Sequence, residues 1–252
     1  MKEDDQEKYD RLLAEKVRLE QQNQLKDKLL YMIGHDLRSP LGSIKMILDF
    51  VDQKIIDPMS PDFQTMLPEL ADAADEAFYL LENLLYWTRI QTRRVSSHPE
   101  SYPVKQLIDK AITTGKRSFA QKGIKLTSHI RGDYNLSVDE YLFLVIFRNI
   151  LSNACKFSKA ETEVTIGLSE SAGQTTLFIR DQGIGISDED MQKIRDPFNL
   201  FHTYGTNNEN GNGLGIKVSD ALVRISNGQL IIESEENKGT TVSVIFHHQH
   251  PN

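Results

Sequence analysis

Between residues 63 and 85, apolar side chains recur every three or four positions, from Phe63, Met66, Leu67 and Leu70 through Ala74 and Ala77 to Leu81, Leu84 and Leu85. That spacing lines them along one side of an α-helix. Just upstream, Ile56-Asp57-Pro58-Met59-Ser60-Pro61 carries two prolines, which block helix continuation. Residues 30–94 therefore read as a helical hairpin. One hairpin of two helices buries little, so a second copy is its natural partner, and a dimeric four-helix bundle follows.

From about Val95 the texture changes to short strands, glycines and further helices. Strands are expected at 123–130, 163–168, 175–180, 228–233 and 240–246, and helices at 103–122, 139–157, 188–194 and 214–225. Strands and helices mixed in this way indicate an α/β sandwich. The chain is thus expected to be multidomain, α followed by α+β. Residues 1 to about 30 are charged and glutamine-rich, with Leu12, Val17, Leu19 and Leu25 as sparse apolar points. Either a solvated helix or a coiled coil fits that pattern. The expected partition is 1–24, 25–94 and 95–252.

Composition narrows the partners. A net charge of −7 with no basic stretch argues against nucleic acid. One cysteine excludes an internal disulfide and fits a reducing compartment. The longest apolar run, 142–147, falls far short of the roughly 20 residues a membrane helix needs. No charged-then-apolar leader opens the chain. A soluble, cytoplasmic chain is expected.

Inside the first long helix, Gly34-His35-Asp36-Leu37-Arg38-Ser39-Pro40 breaks local rules. At 100° per residue, with His35 at zero, Ile33, Leu37, Ile44 and Val51 fall at about 160° to 200°, and Leu30 and Leu48 near 220°. The histidine faces away from the apolar seam. Asp36 can hold one imidazole nitrogen in a fixed tautomer and leave the other free to attack. Ser39 lies about 40° away on the same face. Pro40 cannot donate to the carbonyl of Asp36 and is expected to kink the helix there.

Three further signals fall in the second domain. Asn149, Asn153 and Lys156 form one polar stripe, at about 0°, 40° and 340°, on a helix whose other side is apolar. Amide oxygens suit Mg²⁺, and a lysine can meet phosphate as a point charge. Asp181-Gln182-Gly183-Ile184-Gly185-Ile186 ends an apolar strand. Its carboxylate can accept from an adenine amino group, and its glycines let backbone approach closely. Gly211-Asn212-Gly213-Leu214-Gly215 opens a helix after a polar loop, which presents N–H groups to phosphates. It is not a dinucleotide fingerprint, because it follows a loop and lacks the G-x-G-x-x-G spacing. Lys238-Gly239-Thr240-Thr241-Val242 begins the last strand.

In this order, His-Asp-Leu-Arg-Ser-Pro, Asn-x-x-x-Asn-Ala-x-Lys-Phe, Asp-x-Gly-x-Gly-Ile, Gly-x-Gly-Leu-Gly and Gly-Thr-Thr closely resemble a bacterial two-component sensor histidine kinase over roughly residues 25–246. The resemblance implies a dimerisation and histidine-phosphotransfer hairpin followed by a Bergerat-fold ATP-binding domain. It implies ATP and Mg²⁺ as cofactors and His35 as the nucleophile toward the γ-phosphate, with Asp36 as base or orienter and Ser39 beside it. Asn149 and Asn153 would hold Mg²⁺ and phosphates, with Lys156 on the phosphates. Asp181 would read adenine, with Gly183 and Gly185 giving access. Phe157, Ile186, Phe201, Gly211, Leu214 and Thr241 complete the implied nucleotide site. Residues 202–213 would form a mobile lid ending on Gly213 and Gly215. The implied partners are a second copy, a response-regulator receiver domain, and an upstream sensor domain or protein.

Two positions depart from the family pattern. Arg195 stands where the aromatic box before the lid usually begins with phenylalanine, although Phe198 and Phe201 remain. Ser39 occupies a position where the phosphatase motif carries Thr or Asn. Sensory input is missing, which fits a fragment or a partner-fed kinase. A conformational ATPase of the same superfamily and a silent dimeric scaffold are the competing readings, and the outward histidine argues against the former.

Overall fold

The computed structural model describes residues 2–92, 94–171, 173–197, 199–201, 203–207, 209, 211 and 213–247. The chain divides into two compact units, one comprising Met1–Leu84 with Asp196–Leu200, the other Leu85–Arg195 with Phe201–Asn252.

Two helices dominate the first unit: α1, Lys2–Asp52, and α2, Pro61–Gln91. α1 runs without interruption through Gly34 and Pro40. The proline removes one backbone donor, and the surrounding turns carry the helix past it. The turn into α2 follows from side-chain chemistry. Asp57 accepts the N–H of Met59 through Oδ1 at 2.9 Å, and Ser60 Oγ accepts the N–H of Phe63 at 3.2 Å. Ser60 thus caps the helix, and Pro61 takes the first helical position, where a missing N–H costs nothing.

The apolar seam of α1 is wider than one packing face. Leu29, Ile33, Pro40 and Ile47 are buried; on the wheel they lie at about 120° to 160°. Leu30, Leu41 and Leu48, at about 220° to 240°, are exposed. α2 repeats the split, with Ala73, Ala77 and Leu80 buried and Leu67, Phe78 and Leu81 exposed. Each helix therefore carries a second, uncovered apolar stripe.

The second unit is a sheet layered with helices. Its elements in order are β1 Glu100–Pro103, α3 Val104–Gln121, β2 Lys125–Ser128, β3 Asn135–Val138, α4 Glu140–Phe157, β4 Glu163–Ser171, β5 Gln174–Arg180, α5 Asp188–Arg195, α6 Leu214–Ile225, β6 Gly228–Glu235 and β7 Gly239–His247. The main sheet has the order β2-β4-β5-β7-β6, and β1 pairs with β3 apart from it. Only β2 and β4 run parallel; the other neighbours are antiparallel. Val164, Ile166, Leu177, Ile179, Val242, Val244 and Phe246 alternate inward and are buried, as a sheet with one covered face requires. α4 contributes Phe143, Ile146, Phe147 and Ile150 to this core, with Phe143 and Phe147 stacked at 4.2 Å between ring centroids. The mixed sheet under helices agrees with the sandwich expected from the sequence.

Among the described residues, no helix is long and apolar enough to cross a membrane.

Candidate functional site

His35 stands on α1 with its side chain 67% exposed, while the neighbouring Asp36 carboxyl is only 12% exposed. Nδ1 of the imidazole lies 3.3 Å from Oδ1 of Asp36. With Nδ1–H donated to that carboxylate, Nε2 keeps its lone pair, on a side chain that is mostly exposed. This is the tautomer a nitrogen nucleophile needs. Ser39, one turn on, is exposed as well.

The second cluster gathers around the C-terminal end of α4. The helix is anchored at its start by Asp139, whose Oδ1 accepts from the N–H groups of Tyr141 and Leu142 at 3.0 and 3.1 Å. At its far end, the Phe157 carbonyl accepts the N–H of Ile184 at 3.1 Å, and the Ile184 carbonyl accepts that of Asn237 at 2.7 Å. These bonds bring the segment after β5 against both α4 and the β6–β7 turn.

Asp181 sits at that junction, 7% exposed. Its Oδ1 accepts the N–H of Gly183 at 2.9 Å and of Thr240 at 3.1 Å. Burial pushes its carboxyl above the ordinary aspartate value, and the two backbone donors pull part of the way back. The result is a fixed acceptor in a dry place.

The glycines have a packing reason that sequence reading did not supply. A Cβ on Gly183 would lie 2.2 Å from the Phe157 carbonyl oxygen, and one on Gly185, at φ +65, 2.0 Å from that of Glu235. The close approach they permit is to the protein's own backbone.

Asn149 is buried, and its Nδ2 donates to the Gly215 carbonyl at 3.1 Å and to Ser219 Oγ at 3.2 Å. It thereby fastens α4 to the first turn of α6. Asn153 and Lys156 follow on the same side and are half-buried. Gly211 comes so close that a Cβ there would lie 2.6 Å from Lys156 Nζ. Gly213 enters α6 at φ +65, and an added Cβ would meet the Phe201 carbonyl at 2.1 Å. Leu214 is fully buried, so its side chain packs α6 onto the domain. Phe157, at the end of α4, and Ile186, five residues beyond Asp181, are half-buried.

Thr241 falls elsewhere. Its Oγ1 accepts from Arg180 Nε at 3.1 Å on the face of the sheet opposite the helices. Thr240 is the residue bonded to Asp181, through its backbone N–H and carbonyl. Phe198 of the aromatic box, and His202, Asn208, Asn210 and Asn212 of the lid stretch, lie outside the described residues. Among the described residues, no group of three or more His, Cys, Asp or Glu is placed to hold a metal ion.

Residues 138–250 match the family of histidine kinase-, DNA gyrase B- and HSP90-like ATPases. The carboxy-terminal region is an ATPase domain of that type. Across 89% of the chain it is 27% identical to the methanogenesis regulatory histidine kinase FilI of Methanothrix harundinacea, covering 25% of that protein. Across 92% it is 25% identical to the heme sensor protein HssS of Staphylococcus saprophyticus, covering 48% of it. Sensor protein SrrB of Staphylococcus aureus matches at 25% identity over 87% of this chain and 37% of SrrB. The Acinetobacter baumannii histidine kinase AdeS shares the fold at a TM-score of 0.61 and 16% identity, over 86% of this chain and 98% of AdeS. Over most of its length the chain is thus similar to sensor proteins and histidine kinases, and its carboxy-terminal region matches the ATPase family. The chain spans between a quarter and a half of the length of these curated relatives.

Proposed function

We propose that this chain transfers the γ-phosphoryl group of ATP to His35 and then passes it to an aspartate on a response-regulator receiver domain. The observation that carries the reading is an exposed imidazole, oriented by a nearly buried carboxylate, in a chain that also holds an ATPase domain. Asp36 holds the proton on Nδ1. Nε2 attacks the γ-phosphorus, a N–P bond forms, the bond to the β-phosphate oxygen breaks, and ADP leaves. The resulting phosphoramidate is reactive, which suits a relay.

Asp181 accepts from the adenine amino group, and Asn153 and Lys156 approach the phosphates. The protein offers Asn149 and Asn153 amide oxygens and, among the described residues, no carboxylate cage, a donor set that fits a Mg²⁺ delivered on the nucleotide. Bound there, the ion would neutralise charge on the transferring phosphoryl group. Of the lid stretch, the described residues Gly205, Gly211 and Gly213 lie close to Lys156 and Phe201, which suits a cover over the phosphates.

The exposed stripes on α1 and α2 pair with those of a second copy in a four-helix bundle, which covers surface that a lone chain leaves wet. Residues 1–24 act as the input helix, 25–94 as the dimerisation and phosphotransfer domain, and 95–252 as the ATP-binding domain. The input comes from an upstream sensor, with the chain on the cytoplasmic side where ATP is available.

Incubation with γ-labelled ATP and Mg²⁺ is the test. Acid-labile, base-stable label on the protein supports the kinase. Free phosphate alone would favour a conformational ATPase, and neither product would favour a scaffold.

A further inference from the structure

Lys122 is a buried cation that none of the roles above uses. It ends α3, and its side chain is 5% exposed. Nζ donates to the carbonyl of Cys155 at 3.0 Å, to that of Lys156 at 2.9 Å, and to Glu209 Oε1 at 2.8 Å. All three ammonium protons are therefore used. The first two acceptors are carbonyls of the last turn of α4, where the helix dipole favours positive charge. The third comes from a loop 87 residues further along the chain. Burying an ammonium group is costly unless it is paired. Without Glu209, the Lys122 charge would face two carbonyls and no anion.

Glu209 is a knot in its own loop. Its Oε2 accepts the N–H of Asn207 at 2.7 Å, and its carbonyl accepts that of Gly205 at 2.8 Å. Thr206 fastens the same loop to α4, donating through N to the Lys156 carbonyl at 3.0 Å and through Oγ1 to the Ser158 carbonyl at 2.7 Å. Desolvation pushes the Glu209 carboxyl up, but the bonds from Lys122 and from backbone amides outweigh it, and the group lies below the ordinary glutamate range. The Lys156 carbonyl is shared by Lys122 and Thr206. The same contacts that hold the loop therefore hold the backbone of the residue whose ammonium approaches the phosphates.

We infer that the Lys122–Glu209 ion pair is a latch for the ATP site: Lys122 and Glu209 are positioning residues that tie the loop carrying Gly205, Thr206 and Gly211 to the end of α4 beside Lys156. The inference rests on the ATP-binding reading above. Opening the loop strips Lys122 of its counter-charge, so the pair favours the closed arrangement and slows nucleotide exchange.

The test compares the whole chain with its Glu209→Gln, Glu209→Asp and Lys122→Met variants. Glu209→Gln should raise the KM for ATP about fivefold, the scale of one charged hydrogen bond discounted for partial exposure, with a smaller change in kcat. It should speed release of ADP and expose the loop to limited proteolysis. Glu209→Asp should recover part of both effects. Lys122→Met removes the buried charge and is judged together with its melting temperature. If Glu209→Gln matched the parent in KM, ADP release and proteolysis, the latch would be overturned. A purely structural role predicts a lowered melting temperature without a shift of KM relative to kcat, and that outcome overturns it too. Were the parent chain to take up no ATP at all, the functional reading would fall, and the proteolysis comparison alone would decide the latch.

Discussion

Thr240 donates its backbone N–H to Asp181 Oδ1 at 3.1 Å, and Asp181 returns its own N–H to the Thr240 carbonyl at 2.9 Å. This reciprocal pair closes the end of the sheet around a carboxylate. Both bonds to the carboxylate come from backbone amides, of Gly183 and Thr240, so the side chain at position 181 can be exchanged without dismantling the frame.

Asp181→Asn keeps an oxygen that can accept both amides but turns the second position into a donor. ATP binding should weaken by about 1–3 kcal/mol, because a donor then faces the adenine amino group. Isothermal titration measures it, and an unaltered dissociation constant would place the adenine site elsewhere.

The same substitution should stabilise the unliganded protein. Burial raises the folded-state carboxyl above the ordinary aspartate value. Between the unfolded and folded values, the native state binds more protons, so stability falls as pH rises through that window and stays lower above it. Asparagine removes the desolvated charge. The melting temperature of Asp181→Asn should exceed the parent's at pH 7, and the gap should close toward pH 3. A lower melting temperature at pH 7 would contradict the assignment of burial as the dominant cause.

At the other site, His35→Gln should abolish label from γ-labelled ATP while leaving nucleotide affinity nearly unchanged. The substituted residue lies on α1, outside the matched ATPase region of residues 138–250. Retained label in this variant would move the nucleophile to another residue.

The uncovered stripes predict association. Phe78 and Leu81 are 61% and 50% exposed on α2, and a charge there should split a dimer. Leu81→Glu in the whole chain should sediment as a monomer where the parent sediments as a dimer. If both sedimented alike, the bundle would have to be built from other surfaces.

Ser39 tests reverse chemistry. Its hydroxyl stands one turn beyond His35 on the exposed side, near whatever approaches the histidine. Serine is less restricted in rotamer than the threonine of relatives, so it aims a water less well. Ser39→Ala should slow dephosphorylation of the cognate regulator and Ser39→Thr should speed it. Equal rates would mean that the hydroxyl only bonds back to the helix.

Much of this architecture is legible in the sequence where side-chain periodicity is strong. The apolar spacings around α4 and α6 place both helices to within a residue of their observed ends. β1 and β3 escape notice, because four-residue strands that pair only with each other leave too short an alternation to read. The expected strand 123–130 shrinks to Lys125–Ser128, since Gly123 adopts φ +66 and Ile124 still bonds back to Phe119. α1 is a single helix across Pro40, where a kink is expected, and across residue 24. The Gly-Thr-Thr motif does not show which of its residues meets Asp181; the backbone bonds of Thr240 do. The Lys122–Glu209 pair has no local signature at all, being made by tertiary approach.

Cys155, the chain's single thiol, is buried one residue before Lys156, and its burial pushes the group up to about 11. A protonated, enclosed sulfur is inert to thiol reagents, which require thiolate and access. Its carbonyl is one of the three acceptors around Lys122. Modification at this sulfur therefore occurs only in moments when the end of α4 comes apart. The unmodified protein thus contains its own clock: the speed at which an aromatic disulfide reagent turns over one equivalent counts those moments, with no label, dye or second cysteine introduced.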